Sequence, residues 1–267
     1  MHYAATIGFF DGVHVGHQYL LSSLTEEAAK RGLQSAIITF NQHPQQVLRG
    51  ETPSLLTTFN ERITRLRFTG VDKVISFDFE RIHTMSADEF AQLLHDRYDV
   101  DMLIMGYDHH FGCTTLNSTL STLNSELEVV RLNELPGEQH ISSTQIRKAL
   151  LEGRIVEANE MLGYAYSFLG KVVHGKGLGR TIGFPTANLQ IESDKLIPAP
   201  GVYWAEWGER RVLLNINDTL EMYVPHFEGD LYDQTIVVEL IARIREEKHF
   251  DTLDELKTQI QKDLLSL

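Results

Sequence analysis

Cysteine is nearly absent: Cys113 is the only one in 267 residues. An internal disulfide is therefore excluded, as is a metal centre built on thiolates, and Cys113 reads as a small, partly buried side chain. Positive charge is also scarce. Against 37 Asp and Glu stand 24 Lys and Arg, a formal charge of −13, and so acidic a chain lacks the general basic face that nucleic-acid phosphates require. Small anionic ligands remain compatible with it where local donors offset the repulsion. Missing too is any apolar run of the roughly 20 residues that cross a bilayer as a helix. Met1 to Phe10 has neither the basic lead nor the cleavage site of a secretory signal, so a cytoplasmic location without a membrane partner is expected. No repeat or low-complexity linker interrupts the chain. The 42% hydrophobic and 23% charged fractions exclude the disordered and fibrous classes, and the length suits about two domains.

What is present is concentrated in a few stretches. Ala4 to Phe10 is an apolar run of the kind expected for a central parallel strand. Tyr19, Leu20, Leu24 and Ala28 then recur at helical spacing as far as Gly32, where a C-terminal cap is expected. Between them, Gly8 to Gln18 reads GFFDGVHVGHQ. That turn leaves the carboxyl end of a strand for the amino end of a helix, where free N–H groups and the helix dipole favour an anion. His14 and His17 flank Gly16, whose bare backbone permits a close approach. The two imidazoles read either as capping and packing residues or as donors to a triphosphate and to charge developing at phosphorus. Far downstream, Ile141 to Arg147 reads ISSTQIR and opens another helix. Ser142, Ser143 and Thr144 suit helix capping, and equally suit phosphate oxygens beside the planar donor Arg147.

Strand and helix alternate through this half. Ser35 to Phe40 is expected as the second strand, Asn41 to Ser54 as a loop carrying His43 and Pro44, Phe59 to Thr69 as a helix ended by Gly70, and Lys73 to Phe77 as the third strand. Ser86 and Glu89 form a capping box before Phe90, Leu93 and Leu94. Met102 to Met105 and Glu128 to Leu132 complete the strands. The pattern predicts a parallel sheet covered on both faces, with ligands at the carboxyl ends of its strands. Lys148 to Leu162 continues as helix with a break near Gly153, and the boundary is placed at Gly163, giving domains 1–162 and 163–267. Beyond it Gly201 to Trp207, Arg211 to Ile216 and Thr219 to Val224 read as short strands, and Ile236, Val238, Leu240, Ala242 and Ile244 alternate. A closed antiparallel barrel is expected, with Leu253, Leu256, Ile260 and Leu264 marking one amphipathic helix packed on it.

The densest motif is Gly170 to Leu189, GKVVHGKGLGRTIGFPTANL. Its glycines at 175, 177, 179 and 183 allow either a plain hairpin or a backbone nest closing on phosphates.

HxGH followed by ISSTxIR resembles the nucleotidyltransferase superfamily, which transfers AMP or CMP onto a phosphate and releases pyrophosphate. The full string GFFDGVHVGHQ, the pair His43 and Pro44, and MGYDHHFG at Met105 to Gly112 narrow the resemblance to the adenylyltransferase half of the bacterial bifunctional riboflavin kinase and FAD synthetase. PTAN at Pro185 to Asn188, with GVY at Gly201 to Tyr203, resembles the kinase half, so that essentially the whole chain is covered. The resemblance implies an α/β nucleotidyltransferase domain with a Rossmann-like parallel sheet, then a small antiparallel β-barrel riboflavin kinase domain with a C-terminal helix. It implies an enzyme that makes FMN from riboflavin and ATP, then FAD from FMN and a second ATP, with Mg2+ as the metal. The sequence does not decide the oligomeric state, for which a monomer or weak homo-oligomer is the expectation. His14, His17 and Arg147 would be catalytic in the first domain. Gly8, Phe9, Asp11, Gly16, Ser142, Ser143 and Thr144 would surround the nucleotide, and His43, Pro44, Asp108 and Phe111 the flavin. In the second, Gly175, Gly177, Gly179 and Arg180 would meet phosphate, Thr186 and Asn188 the Mg2+, and Arg245 the flavin. Glu221, ahead of HFEGDLYD at His226 to Asp233, would be the base.

Two departures stand out. After Gly112 the chain reads CTTLNSTL where the family carries basic residues, with His109 and His110 the nearest substitutes. Between Ile216 and Thr219 there are only Asn217 and Asp218, where the family has a longer turn. These departures raise two alternatives: one retained activity, or flavin binding without turnover.

Overall fold

The computed structural model describes residues 1–51, 53–106, 127–131, 141–175, 179 and 182–265. They fall into two compact units, Met1–Ser142 and Ser143–Leu267.

In the first, strands β1 (Tyr3–Ile7), β2 (Gln34–Phe40), β3 (Lys73–Phe77), β4 (Val100–Met105) and β5 (Glu128–Arg131) form one sheet in the order β3-β2-β1-β4-β5. All pairings are parallel, as the alternating pattern predicted. Between the strands run α1 (Val15–Lys30), α2 (Pro44–Arg49), α3 (Phe59–Arg67), α4 (Phe79–Ile82) and α5 (Ala87–Tyr98). Successive strand residues face opposite sides. Ala5 and Ile7 therefore join one core with Ile38, Phe40 and Leu103, which Phe90 and Leu94 of α5 seal, while Ala4 joins another with Ile37 and Met102, sealed by Leu21 and Leu24 of α1. Leu24 is wholly buried, and its truncation to Ala would cost about 2–5 kcal/mol. The strand order reverses beside β1, and the crevice at its carboxyl end is the switch point at which such sheets bind ligands.

The Ser86–Glu89 capping box forms in full, with Ser86 N donating to Glu89 Oε2 (2.8 Å) and Glu89 N to Ser86 Oγ (3.2 Å). A second, at Thr58 and Glu61, starts α3. Two expectations need correction. β1 ends at Ile7, not Phe10: Gly8 N still donates to Ile38 O (3.0 Å), but Phe10 then takes a left-handed backbone with φ 57°, which a strand does not allow. The stretch from Asn41 to Ser54 is not all loop, because it holds α2, with Pro44 in its first turn and His43 accepting from Gln45 N (3.2 Å) as its cap.

In the second unit α6 (Ser143–Leu151) and α7 (Ile155–Leu162) are parted near Gly153, whose φ of +75° ends the first helix. Strands β6 (Tyr166–Val173), β7 (Thr186–Gln190), β8 (Gly201–Trp207), β9 (Arg210–Ile216), β10 (Leu220–Tyr223) and β11 (Thr235–Glu246) close a barrel in the order β10-β7-β6-β11-β8-β9. Every pairing is antiparallel, and closure leaves no sheet edge. Tyr166, Phe168, Tyr203, Leu214, Met222 and Val238 are buried. The Tyr166 hydroxyl donates to Leu196 O (2.6 Å) and that of Tyr203 to Ala199 O, so both phenols are satisfied.

Three expectations for this unit change. The alternation along β11 stops at Leu240, because register shifts at Leu240/Ala242 and Arg243/Arg245 leave Ala242 and Ile244 half-buried. Thr219 belongs to the turn and not to β10: its N–H and its hydroxyl both donate to Asn217 Oδ1 (2.9 and 3.0 Å). The final helix, α8 (Leu253–Leu264), buries only Asp263. Its apolar positions Leu253, Leu256 and Ile260 line a cavity instead of closing on the barrel.

Candidate active sites

The turn from β1 to α1 is built on unusual backbone. Phe10 (φ 57°), Gly12 (φ 80°) and Val13 (φ 39°) all have positive φ, and for a β-branched residue this is a true outlier. At the two non-glycine positions, Phe10 and Val13, such strain, on the order of 1–3 kcal/mol each, persists only where surrounding contacts over-determine it. Here the Asp11 carboxylate, 4% exposed, accepts from Leu56 N (3.1 Å), Thr57 N (3.0 Å) and Thr57 Oγ1 (3.3 Å), and Gly12 N donates to Thr57 Oγ1 (3.0 Å). Asp11 thus ties the turn to the segment before α3. Gln18 Nε2 adds a bond to Val13 O (2.8 Å).

His14 is the N-cap of α1 in extended conformation and makes no side-chain capping bond, which sets aside the reading of it as a simple cap. Its ring stacks on His17 with centroids 3.6 Å apart and planes at 20°. Phe10 meets His17 edge-on at 5.2 Å. A Cβ at Gly16 would come within 3.3 Å of the His14 ring, so glycine there lets the helix start close beside the imidazoles. At the neighbouring rim Phe9 meets His43 edge-on at 4.6 Å. Ser142 ends the first unit, while Ser143, Thr144 and Arg147 lie on the first turns of α6. Ser143 and Arg147, four apart, share a helical face.

In the barrel, β10 buries Leu220 and Met222 and turns Glu221 and Tyr223 outward, the phase expected from TLEMYV. Register sets Glu221 between Asn188 of β7 and Asn215 of β9, and Tyr223 between Thr186 and Leu213. Directly paired residues share a face. Together with Gly179, Arg245, Phe250, Leu256 and Ile260, most of this set lines a cavity of about 560 Å3, within the roughly 300–1,000 Å3 usual for small-molecule sites. Arg245 is anchored by the buried Asp263: Nε lies 3.0 Å from each carboxylate oxygen and Nη2 2.8 Å from Oδ2.

Two glycines of the Gly-rich stretch, Gly175 and Gly179, lie close against Asn188 and Thr186. A Cβ at Gly175 would collide with the Asn188 amide, and one at Gly179 would strike the Phe184 carbonyl and lie 3.2 Å from Thr186 Oγ1. Hydroxyl and amide oxygens cradled by backbone suit a hard divalent ion that keeps its other positions for water and phosphate, so the residues present fit a magnesium ion.

Asp108, Phe111, Gly177 and Arg180, with His109, His110 and Cys113, lie outside the described residues. Two residues were missed. Arg62 is wholly buried beneath Phe9; its spacing from Phe59 and Leu66 is that of a core face, and a charge at such a position was the available signal. Asn215 breaks the apolar run RVLLNI in phase with Leu213, which equally marked it.

A family model described as FAD synthetase matches residues 1–145, and one described as riboflavin kinase matches residues 162–266. The bifunctional riboflavin kinase/FMN adenylyltransferase of Escherichia coli K12 is 35% identical over 283 residues, 98% of this chain and 90% of the relative. That of Listeria monocytogenes is 32% identical over 282 residues, 96% and 88%. A crystal structure described as a macrolide-efflux protein from Streptococcus pneumoniae superposes with a TM-score of 0.84 at 30% identity, over 98% of this chain and 92% of that one. Among the described residues no helix is long and apolar enough to cross a membrane. With both family models matched in order and such relatives aligned nearly end to end, the chain belongs to the bifunctional riboflavin kinase/FMN adenylyltransferase family.

Proposed function

We propose that the chain phosphorylates riboflavin to FMN with one ATP and adenylylates FMN to FAD with a second, the kinase being residues 163–267 and the adenylyltransferase residues 1–162. The observation that carries the reading is Glu221, set in register between Asn188 and Asn215 and facing the cavity that also meets Gly179 and Thr186.

In the kinase, Phe250, Leu256 and Ile260 supply apolar wall for the flavin ring, with Arg245 at its edge. Gly175, Gly177, Gly179 and Arg180 hold the ATP phosphates. Thr186 and Asn188 would hold magnesium, which neutralises phosphate charge when bound. Glu221 orients the terminal ribityl hydroxyl and takes its proton as that oxygen bonds to the γ-phosphorus and the bond to ADP breaks.

In the adenylyltransferase, an oxygen of the FMN phosphate attacks the α-phosphorus of ATP and pyrophosphate leaves. The nucleophile is already an anion, so no base is needed. In the first unit His14 and His17, at the amino end of α1, supply donors that stabilise charge on the phosphates; the motif resemblance gives Ser142, Ser143, Thr144 and Arg147 a part in the same step. Gly8 and Gly16 allow close approach, and Asp11 acts by holding the turn. His43 and Pro44, with Asp108 and Phe111, belong to the flavin side. The reading carries with it a cytoplasmic setting and a monomer or weak homo-oligomer.

Incubation with riboflavin, ATP and magnesium, followed by chromatographic separation of flavins, tests it. FMN should appear first and FAD after it. Bound riboflavin recovered unchanged would sink the proposal in favour of a binding protein.

A further inference from the structure

Arg62 is an arginine with no exposed surface, on the core-facing side of α3. Its Nη2 donates to Phe40 O at the carboxyl end of β2 (2.6 Å), and its guanidinium carbon sits 3.7 Å from the centroid of the Phe9 ring. The Phe59 ring lies 5.7 Å away. Burying a guanidinium is costly, and an apolar side chain of similar volume would fill the same space without that cost. The charge adds two things that a Leu or Met cannot: a cation on one ring face, and a directed bond that fixes where it lies. The platform beneath it is itself held, since the Thr58–Glu61 capping box starts α3 and Asp11 ties Leu56 and Thr57 to the turn.

The beneficiary is Phe9. It is half-buried, stands immediately before the left-handed Phe10, and meets His43 edge-on at the rim where β1 and β2 end. We propose that Arg62 is a positioning residue for adenylylation: clamping one face of Phe9, it presents Phe9 and His43 as a preformed aromatic wall for the isoalloxazine ring of FMN. Phe9, read from the sequence as lying on the nucleotide side, is thereby assigned to the flavin. This rests on the reading that the first unit adenylylates FMN. A wall fixed before the ligand arrives lowers the ordering cost of binding, so the effect belongs in KM for the flavin and not in the chemical step.

The test uses the full-length chain and four variants, Arg62→Met, Arg62→Lys, Phe9→Leu and the double Phe9→Leu/Arg62→Met, assayed for FAD formation from FMN and ATP. Arg62→Met should raise KM for FMN about tenfold, with kcat and KM for ATP held within about twofold, and Arg62→Lys should recover part of the loss. On the Phe9→Leu background Arg62→Met should add almost nothing, because both changes remove one wall. A full additional factor in the double variant, or a shift in KM for ATP instead of FMN, overturns the proposal. Should Arg62→Met fail to fold, Phe9→Tyr against Phe9→Leu serves: Tyr should keep the parent KM for FMN and Leu should not, and equal values overturn it. A parent chain that makes FMN but no FAD removes the reading beneath the proposal, which then falls with it. A parent that makes FAD while Arg62→Met is unchanged overturns the proposal alone.

Discussion

Replacing Glu221 by Gln changes one oxygen for nitrogen and removes a base while keeping the shape. The side chain is half-buried, 3.4 Å from Thr219 Oγ1 and flanked in register by Asn188 and Asn215, neighbours that accept an amide as readily as a carboxylate. Packing and riboflavin affinity should therefore change little. General-base assistance is worth about two to four powers of ten, which corresponds to a barrier higher by roughly 3–5 kcal/mol. FMN formation should fall by that factor at saturating riboflavin, with KM for riboflavin within about threefold of the parent. FAD formation from supplied FMN should be unaffected, since its chemistry belongs to the other half of the chain. Stopped-time assays with flavins separated by chromatography read all three quantities. FMN formation at the parent rate would show that Glu221 is not the base, and that the alignment through the short Asn217–Thr219 turn is displaced.

His17→Ala should reduce FAD formation on the order of a hundredfold by removing a donor to the reacting phosphates while riboflavin phosphorylation stays intact, and equal loss of both in a folded variant would refute separate sites. Asp263→Asn removes the buried carboxylate that anchors the half-buried Arg245, a loss on the order of 1–3 kcal/mol for a bonded group deprived of its partner. Urea unfolding should show that loss, and KM for riboflavin should rise as α8 loses its anchor. Burial pushes the Tyr203 phenol up from its ordinary value, against the opposing charge of Arg243. Because the folded state holds this proton more tightly, the contribution is complete below about pH 10, the unfolded value, and is lost as pH rises toward the folded one. Tyr203→Phe should flatten that alkaline decline in urea titrations, and an unchanged decline would assign it to other groups.

Much of the fold was legible because periodicity is a direct record of which side is buried. Lys73–Phe77 was located to the residue, the Ser86 box was placed correctly, and the phase of Glu221 followed from the alternation of its neighbours. Failures came where a tertiary contact overrode local pattern. Phe9 and Phe10 are apolar enough to extend β1, yet the bonds from Leu56 and Thr57 to Asp11 hold the chain in a left-handed turn. The six residues of α2 are too few to show a helical period. The apolar stripe of α8 announced a helix with a covered face but not that a cavity is what it covers. For the proposed sites, His14, His17, Thr186, Asn188 and Glu221 were singled out by motif. Arg62 and Asn215 did not, because each is one polar residue in an apolar phase, and only the packing shows what it touches.

The central claim, that one chain performs two different phosphorus transfers, is tested most directly by isotopic labelling of ATP at the γ- and α-phosphorus in separate incubations with riboflavin and magnesium. FMN should carry the γ label alone, and FAD should carry label in both incubations, once from each transfer. FAD free of either label, or a flavin pool in which only FMN ever forms, would contradict the account.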